Sequence, residues 1–349
     1  MLLIKKIKFR LLKIKKTKIY PIFFYLRFFL KKKLFNFDGF KKKYSTNIAL
    51  YDLRISPVTF DFVHFLSSAS FFYKDKGEVF TLLIVNDNCE LHSNTTWENY
   101  AEIIDNEKQL TRIYKILLPI AFCFNQCKNS IKIISPEDLP FLINKRDILY
   151  PKNSSNLMGK NMDYKEVFNI IINKNYSPNI SAPHHYKSKV NDFLNEVIIS
   201  KNIDSDSFIT LTLRSYDFQK GRNTMPKDIE YIGNFCKKNN LILIVIPDTD
   251  KKPTNAQLAS LNKFNFLMWE SPSVCIFLRL ALYERSKLNL MNLNGPMCLA
   301  IYASKAKSLI LNFGDDTHGS NAGKIFSKKE YGIEEYSQPY ERFCCLVQW

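Results

Sequence analysis

Residues 209–223 read ITLTLRSYDFQKGRN, and Arg214, Lys220, Arg222 and Asn223 fall on one loop just past an apolar run. Guanidinium groups present fixed, paired donors that match phosphate oxygens, and an asparagine amide adds a neutral donor. A second stretch, LMNLNGPMCLA at 290–300, passes from an apolar run into Asn294, Gly295, Pro296 and Met297. Asn-Gly makes a turn, proline suits a first helical position, and the helix that follows aims its amide end and dipole back toward the turn. Both stretches therefore point to a bound phosphate or diphosphate at the carboxyl edge of an α/β sheet, where such folds hold ligands. Each also has a plainer reading, a solvated basic loop and an ordinary β–α turn.

Groups able to move a proton are fewer. Asp61 lies just past the apolar run NIALYDLR, with His64 one helical turn further on. We take Asp61 as the first candidate base and His64 as the weaker one, set against the alternative that Asp61 only complements the start of a helix. Asp248, at the end of LILIVIP, could accept from a sugar or ribose hydroxyl, cap the next helix or neutralise Arg214. Trp269 reads as core packing rather than a base-stacking platform, and His184 and His185 as loop residues. His318, in the polar stretch GDDTHGSN, is a candidate donor contact at a cleft rim. The eight cysteines form no CxxC pair and no His-spaced metal motif, so we expect no metal, no cofactor and a reducing, cytoplasmic setting. With only 10 glycines there is no Walker or dinucleotide loop, so phosphate must be held by side chains and a helix terminus.

The net charge of +17 is unevenly spread. Residues 1–43 hold fifteen Lys or Arg against the single acid Asp38, which leaves only +3 on the other 306 residues. A near-neutral body argues against a nucleic-acid groove. The apolar run Ile19–Leu30 is interrupted by Pro21 and Arg27 and is too short to cross a bilayer, which takes about 20 residues. Lys31–Lys33 follow where a secretory signal would need small residues. The segment reads as a cationic, Phe-rich extension lying on an anionic membrane surface at the inner face of the cytoplasmic membrane, set against a disordered extension without that role and, third, a nucleic-acid-binding tail.

The elements that must position these groups follow from periodicity. Strand-like and helix-like runs alternate from residue 47 to about 135, and again from about 190 onward, with an Asn-, Ser-, Lys- and Pro-rich linker near 150–185. Such alternation predicts parallel sheets covered by helices. The expected architecture is α/β: a basic extension at 1–46, a Rossmann-like lobe with linker at 47–180, and a second Rossmann-like lobe at 181–349.

The turn Asn294-Gly295-Pro296-Met297, with Leu299 and Ala300 beyond it, is similar to the SGPMHLA turn of the heptosyltransferase-like branch of GT-B glycosyltransferases. TLRSYDFQKGRN resembles the arginine loop of bacterial surface-polysaccharide glycosyltransferases and, more distantly, of fucosyltransferases. YDLRISPVTFDFVHFL resembles the N-lobe opening of the polysaccharide enzymes. Cys298 stands where the heptosyltransferase turn has histidine, and Leu213 where fucosyltransferases often carry basic character. The resemblance implies a GT-B fold and metal-independent transfer from a nucleotide-diphosphate sugar to a surface glycan or glycolipid. Arg214, Lys220, Arg222, Asn223, Asp248 and the turn Asn294–Met297 would face the donor, and Asp61 or His64 the acceptor. A nucleotide-sugar epimerase of the same fold and a non-catalytic binding protein are the competing readings.

Overall fold

The computed structural model describes residues 46–86, 106–127, 129–144, 146–152, 170, 178, 180–201, 207–216, 223–249, 251–292, 294–311 and 344–347. The N-terminal extension, Lys220, Arg222 and His318 lie outside the described residues.

The first sheet contains β1 (Asn47–Asp52), β2 (Thr81–Val85), β3 (Ile131–Ile134) and β4 (Ile148–Tyr150), all parallel, in the order β3-β2-β1-β4. Nearly every residue of β1 and β2 is buried, as expected for strands covered on both faces. Helix α1 (Phe62–Tyr73) connects β1 to β2. Before β3 the chain forms α2 (Asn106–Arg112), a π-helical turn at Ile113–Leu117 and α3 (Leu118–Phe122), where periodicity alone predicts one helix. Pro119 accounts for the difference: it has no N–H for the carbonyl four residues back, and its ring crowds that carbonyl, so the turn widens. A short helix, α4 (Leu139–Leu142), leads to β4, which is only three residues long and absent from the periodicity reading.

Helix α5 (His184–Lys201) precedes the second sheet and starts six residues before the apolar period does, so His184 and His185 belong to its first turn rather than to a loop. The second sheet comprises β5 (Phe208–Thr212), β6 (Ile242–Ile246), β7 (Phe266–Met268), β8 (Asn289–Asn292), β9 (Ser308–Leu311) and β10 (Cys344–Val347). All neighbours are parallel, in the order β10-β9-β8-β5-β6-β7. Its helices are α6 (Pro226–Lys238), α7 (Asn255–Leu261), α8 (Ser271–Val274), α9 (Ile276–Arg285) and α10 (Gly295–Tyr302). Renumbered within the sheet, the strand order is 3-2-1-4-5-6, that of a doubly wound dinucleotide-binding sheet. Its winding reverses between β5 and β8.

Local chemistry explains where the helices start. Pro226 occupies the first turn of α6, and the Met225 N–H donates to Asp228 Oδ2 at 3.2 Å. At α7, Thr254 and Gln257 make a reciprocal capping box, with bonds of 3.2 and 2.9 Å. One apolar cluster runs from Ala49, Phe62 and Leu66 in the first lobe to Ile244, Leu280 and Leu299 in the second, so the lobes share a core.

Candidate functional site

The winding reverses where β5 and β8 pair, and Arg214 and Asn223 lie beyond the carboxyl end of β5, the edge at which doubly wound sheets bind ligands. Arg214, the second residue after β5, is 6% exposed, and its Nη1 donates to Asn223 Oδ1 at 2.6 Å. Asn223 in turn brackets Tyr216, accepting from its N–H at 3.0 Å and donating to its carbonyl at 2.9 Å. The Arg214 guanidinium carbon lies 5.8 Å from the centre of the Tyr216 ring. Asp248 Oδ2 accepts from the Ser215 N–H at 3.1 Å, so this acid fixes the Arg214 loop by its backbone. Gln257 closes the ring of contacts: its Nε2 donates to the carbonyls of Arg214 and Thr224 at 3.3 and 2.8 Å, and its Oε1 accepts from Ser215 Oγ at 2.6 Å.

A chain of hydrogen bonds then crosses from β5 to β8. The Arg214 N–H donates to Thr224 Oγ1 at 3.0 Å, so the Thr224 hydroxyl hydrogen turns to Asn292 Oδ1, 2.8 Å away. That fixes the Asn292 amide with Nδ2 on its other side. Asn292 is wholly buried, and among the described residues Nδ2 has no hydrogen-bond partner. A buried amide donor left unpaired costs about 1–3 kcal/mol, and buried polar groups are paired in the great majority of cases.

A second orphan lies nearby. Arg279, on α9, is 0% exposed; its Nε donates to the Pro272 carbonyl at 2.7 Å and its Nη2 to the Ser273 carbonyl at 3.1 Å, while Nη1 has no partner among the described residues. Its guanidinium carbon lies 5.9 Å from the centre of the Phe60 ring, which belongs to the first lobe. Neither Asn292 nor Arg279 stands out in the sequence, because each is a lone polar residue inside an apolar run.

The turn before α10 is built differently from its sequence reading. Asn294 is the N-cap, and its side chain accepts from the Met297 N–H at 3.1 Å. Pro296 has no N–H, so the first turn offers chiefly the Gly295 amide and the helix dipole. Gly295 serves close packing: a Cβ built there would meet Phe60 Cδ2 at 2.7 Å.

Across the lobe interface, α1 packs on α10 and brings Asp61 and His64 to Cys298 and Tyr302. Asp61 is the N-cap of α1 and does not use its carboxylate as a cap. Thr59 Oγ1 donates to Asp61 Oδ2 at 2.7 Å, and Cys298 Sγ lies 3.9 Å from Asp61 Oδ1 as its donor. His64 Nδ1 is hydrogen-bonded to Tyr302 OH at 2.8 Å. Burial pushes the His64 imidazole down to about 4 against a smaller opposing pull from the Asp61 charge, so it is neutral at pH 7. The nearby pair Asp52–Arg54 is buried and mutually neutralised, with Nη2 to Oδ2 at 2.6 Å. Asp61, by contrast, is only half-buried. Trp269 stacks on Phe193 of α5 with ring centres 3.8 Å apart, which occupies the face a base would use.

No protein-family model matches the chain, and no curated protein matches it. Among solved structures it is similar to a glycosyl transferase of family 9 from Veillonella parvula DSM 2008, at 9% identity and a TM-score of 0.49, covering 88% of each chain. It is also similar to a glycosyltransferase from Rickettsia africae ESF-5, at 12% identity and a TM-score of 0.31, over 83% of this chain and 90% of that one. A third likeness is to the UDP-GlcNAc 2-epimerase of Neisseria meningitidis bound to UDP-GlcNAc, at 10% identity and a TM-score of 0.29, over 79% of this chain and 85% of the other.

Proposed function

We propose that this chain is a glycosyltransferase that moves a sugar from a nucleotide-diphosphate donor to a hydroxyl of a surface glycan or lipid-linked acceptor, with no metal at the diphosphate. The observation that carries this reading is the polar network at the β5–β8 reversal. It holds Arg214 in place and orients the Asn292 amide donor, which has no partner among the described residues, just before the start of α10. A pre-set cluster of donors and a guanidinium suits the charge that grows on a departing diphosphate, and it does so without reorganisation during the reaction.

In the proposed reaction the acceptor hydroxyl oxygen bonds to the anomeric carbon of the donor as the bond from that carbon to the diphosphate oxygen breaks. Asp61 takes the hydroxyl proton, and the nucleoside diphosphate leaves with the electron pair of the broken bond. Arg214, with Lys220 and Arg222 on the same loop, binds the leaving group. Asp248 and Asn223 act one step back, by fixing the loop that carries Arg214. The cationic segment at 1–43 would place the acceptor lobe against an anionic membrane.

Thermal-shift measurements with a panel of nucleotide sugars test the reading on the wild type and on Arg214→Ala. At about 100 times its dissociation constant a donor adds about 2.7 kcal/mol of stability, which is several degrees of melting temperature. The wild type should respond to one donor class and the variant much less; no response, or an equal response in both, defeats the assignment. Deleting residues 1–43 should abolish sedimentation with anionic vesicles and leave the donor shift intact.

A further inference from the structure

The three side chains at the lobe interface are of different kinds. Asp61 offers a carboxylate oxygen, His64 an imidazole nitrogen and Cys298 a sulfur, and these ligand atoms all lie within 4.8 Å of one another. The cluster is invisible in the sequence because Cys298 is 237 positions from Asp61 and belongs to the other lobe. Asp61 and His64 share a face because they are three apart at the start of a helix, and the packing of α1 on α10 supplies the third donor.

We propose that Asp61, His64 and Cys298 form a binding site for Zn²⁺ that bridges the two lobes and, when filled, withdraws Asp61 from proton transfer. Mixed oxygen, nitrogen and sulfur donors select a borderline-soft, tetrahedral ion, and three protein ligands leave the fourth position open. Tetrahedral zinc, with bonds of about 2.0–2.1 Å to nitrogen and oxygen and about 2.3 Å to sulfur, keeps such donors about 3.3–3.6 Å apart. The Asp61 Oδ1 to Cys298 Sγ separation of 3.9 Å is close to that already. The outer groups are also in place. Thr59 Oγ1 donates to the Asp61 oxygen not shared with Cys298, and Tyr302 OH bonds Nδ1 of His64, the kind of second contact that orients a ligating imidazole. Binding transfers the Cys298 thiol proton to solvent as the thiolate bonds the metal.

The withdrawal of Asp61 rests on the function proposed above, whereas the metal site itself does not. Co²⁺ titration of the full-length, reduced, chelator-stripped protein reads the site directly, because a cobalt–thiolate bond gives a near-ultraviolet charge-transfer band and tetrahedral Co²⁺ gives intense visible bands. The wild type should show both, saturating at one equivalent and displaced by Zn²⁺. Cys298→Ser should lose the charge-transfer band, and Asp61→Asn, which keeps all eight cysteines, should need a much higher Co²⁺ concentration. Tyr302→Phe, which touches no metal, should weaken binding by about 10–100-fold. Absence of a saturating band in the wild type, or its survival at full strength in Cys298→Ser, overturns the site. Loss of binding in Cys298→Ser is counted only with an unaltered far-ultraviolet circular dichroism spectrum, and Asp61→Asn then decides independently. Failure of every nucleotide sugar to stabilise the protein would defeat the glycosyltransferase reading and leave these cobalt results unchanged.

Discussion

Asn292 and His64 show how a buried polar group acquires a role from its neighbours rather than from its type. Asn292 has its oxygen committed to Thr224 and, among the described residues, its nitrogen unpaired. A hydrogen bond from it to a charged ligand is worth about 1.5–3 kcal/mol, so Asn292→Ala should weaken donor binding by about 10–100-fold, read by calorimetric titration. The unliganded protein should lose much less, because the mutation also removes an unpaired group. His64 has the opposite character, since its cost falls on the unliganded fold. Its pKa is about 4 when folded against about 6.5 when unfolded, so below pH 6.5 the unfolded chain takes up a proton that the folded chain refuses. The His64 contribution to stability should therefore be flat above pH 6.5, fall by about 3 kcal/mol as the pH drops toward 4, and level off below it. Urea melts in the presence of chelator check this, and His64→Gln should flatten that part of the profile. Of the residues at the two sites, Arg214 was legible because it follows an apolar run directly where a sheet edge must lie, and Asp61 because it stands at a helix start a few residues past another such run. Asn292, Arg279 and Cys298 were not, because within an apolar run a lone polar residue or cysteine gives no sign of what the other lobe sets against it.

At the scale of elements, α10 carries two separable constraints. Its N-cap is a single side-chain bond from Asn294 to the Met297 amide, so Asn294→Ala should cost about 1 kcal/mol in chemical denaturation. Gly295 is a question of space, since its added methyl would press on the Phe60 ring. Gly295→Ala should cost about 1–3 kcal/mol, and the cost should shrink in the Phe60→Leu background, where a more flexible side chain replaces the ring. A coupling near zero between the two positions would show that the turn, not the packing, requires glycine. The start of α10 was readable because asparagine, glycine and proline each have a positional meaning there. By contrast β4 is three residues long, too short for a period to register, and it is specified by pairing with β1. The early start of α5 escaped notice for a related reason: His184–Ser188 are polar, and the helix there is set by the turn at Pro183, whose carbonyl accepts from Tyr186 at 3.0 Å.

The molecule as a whole is two parallel sheets that do not pair with each other yet are joined by a continuous apolar cluster. Polar contacts between the lobes, among them His64 with Tyr302 and Asp61 with Cys298, are embedded in that shared packing. Lobes joined only through a polar seam would open and unfold separately, as weakly docked domains do. Here the residues that cover β1 also complete the surroundings of α10, so loss of either lobe exposes apolar surface on the other. We therefore expect a single unfolding transition. Trp269 reports on the second lobe through its stack on Phe193, and in a Trp97→Phe, Trp349→Phe background its fluorescence can be compared with far-ultraviolet circular dichroism, which reports on both lobes. Coincident urea curves fit the shared core, whereas a fluorescence change displaced from the circular dichroism change would mean that the lobes fold as independent units. Tyr302→Phe should move both curves together by about 1–3 kcal/mol, because it leaves the buried His64 Nδ1 unpaired in a core that the two lobes hold in common.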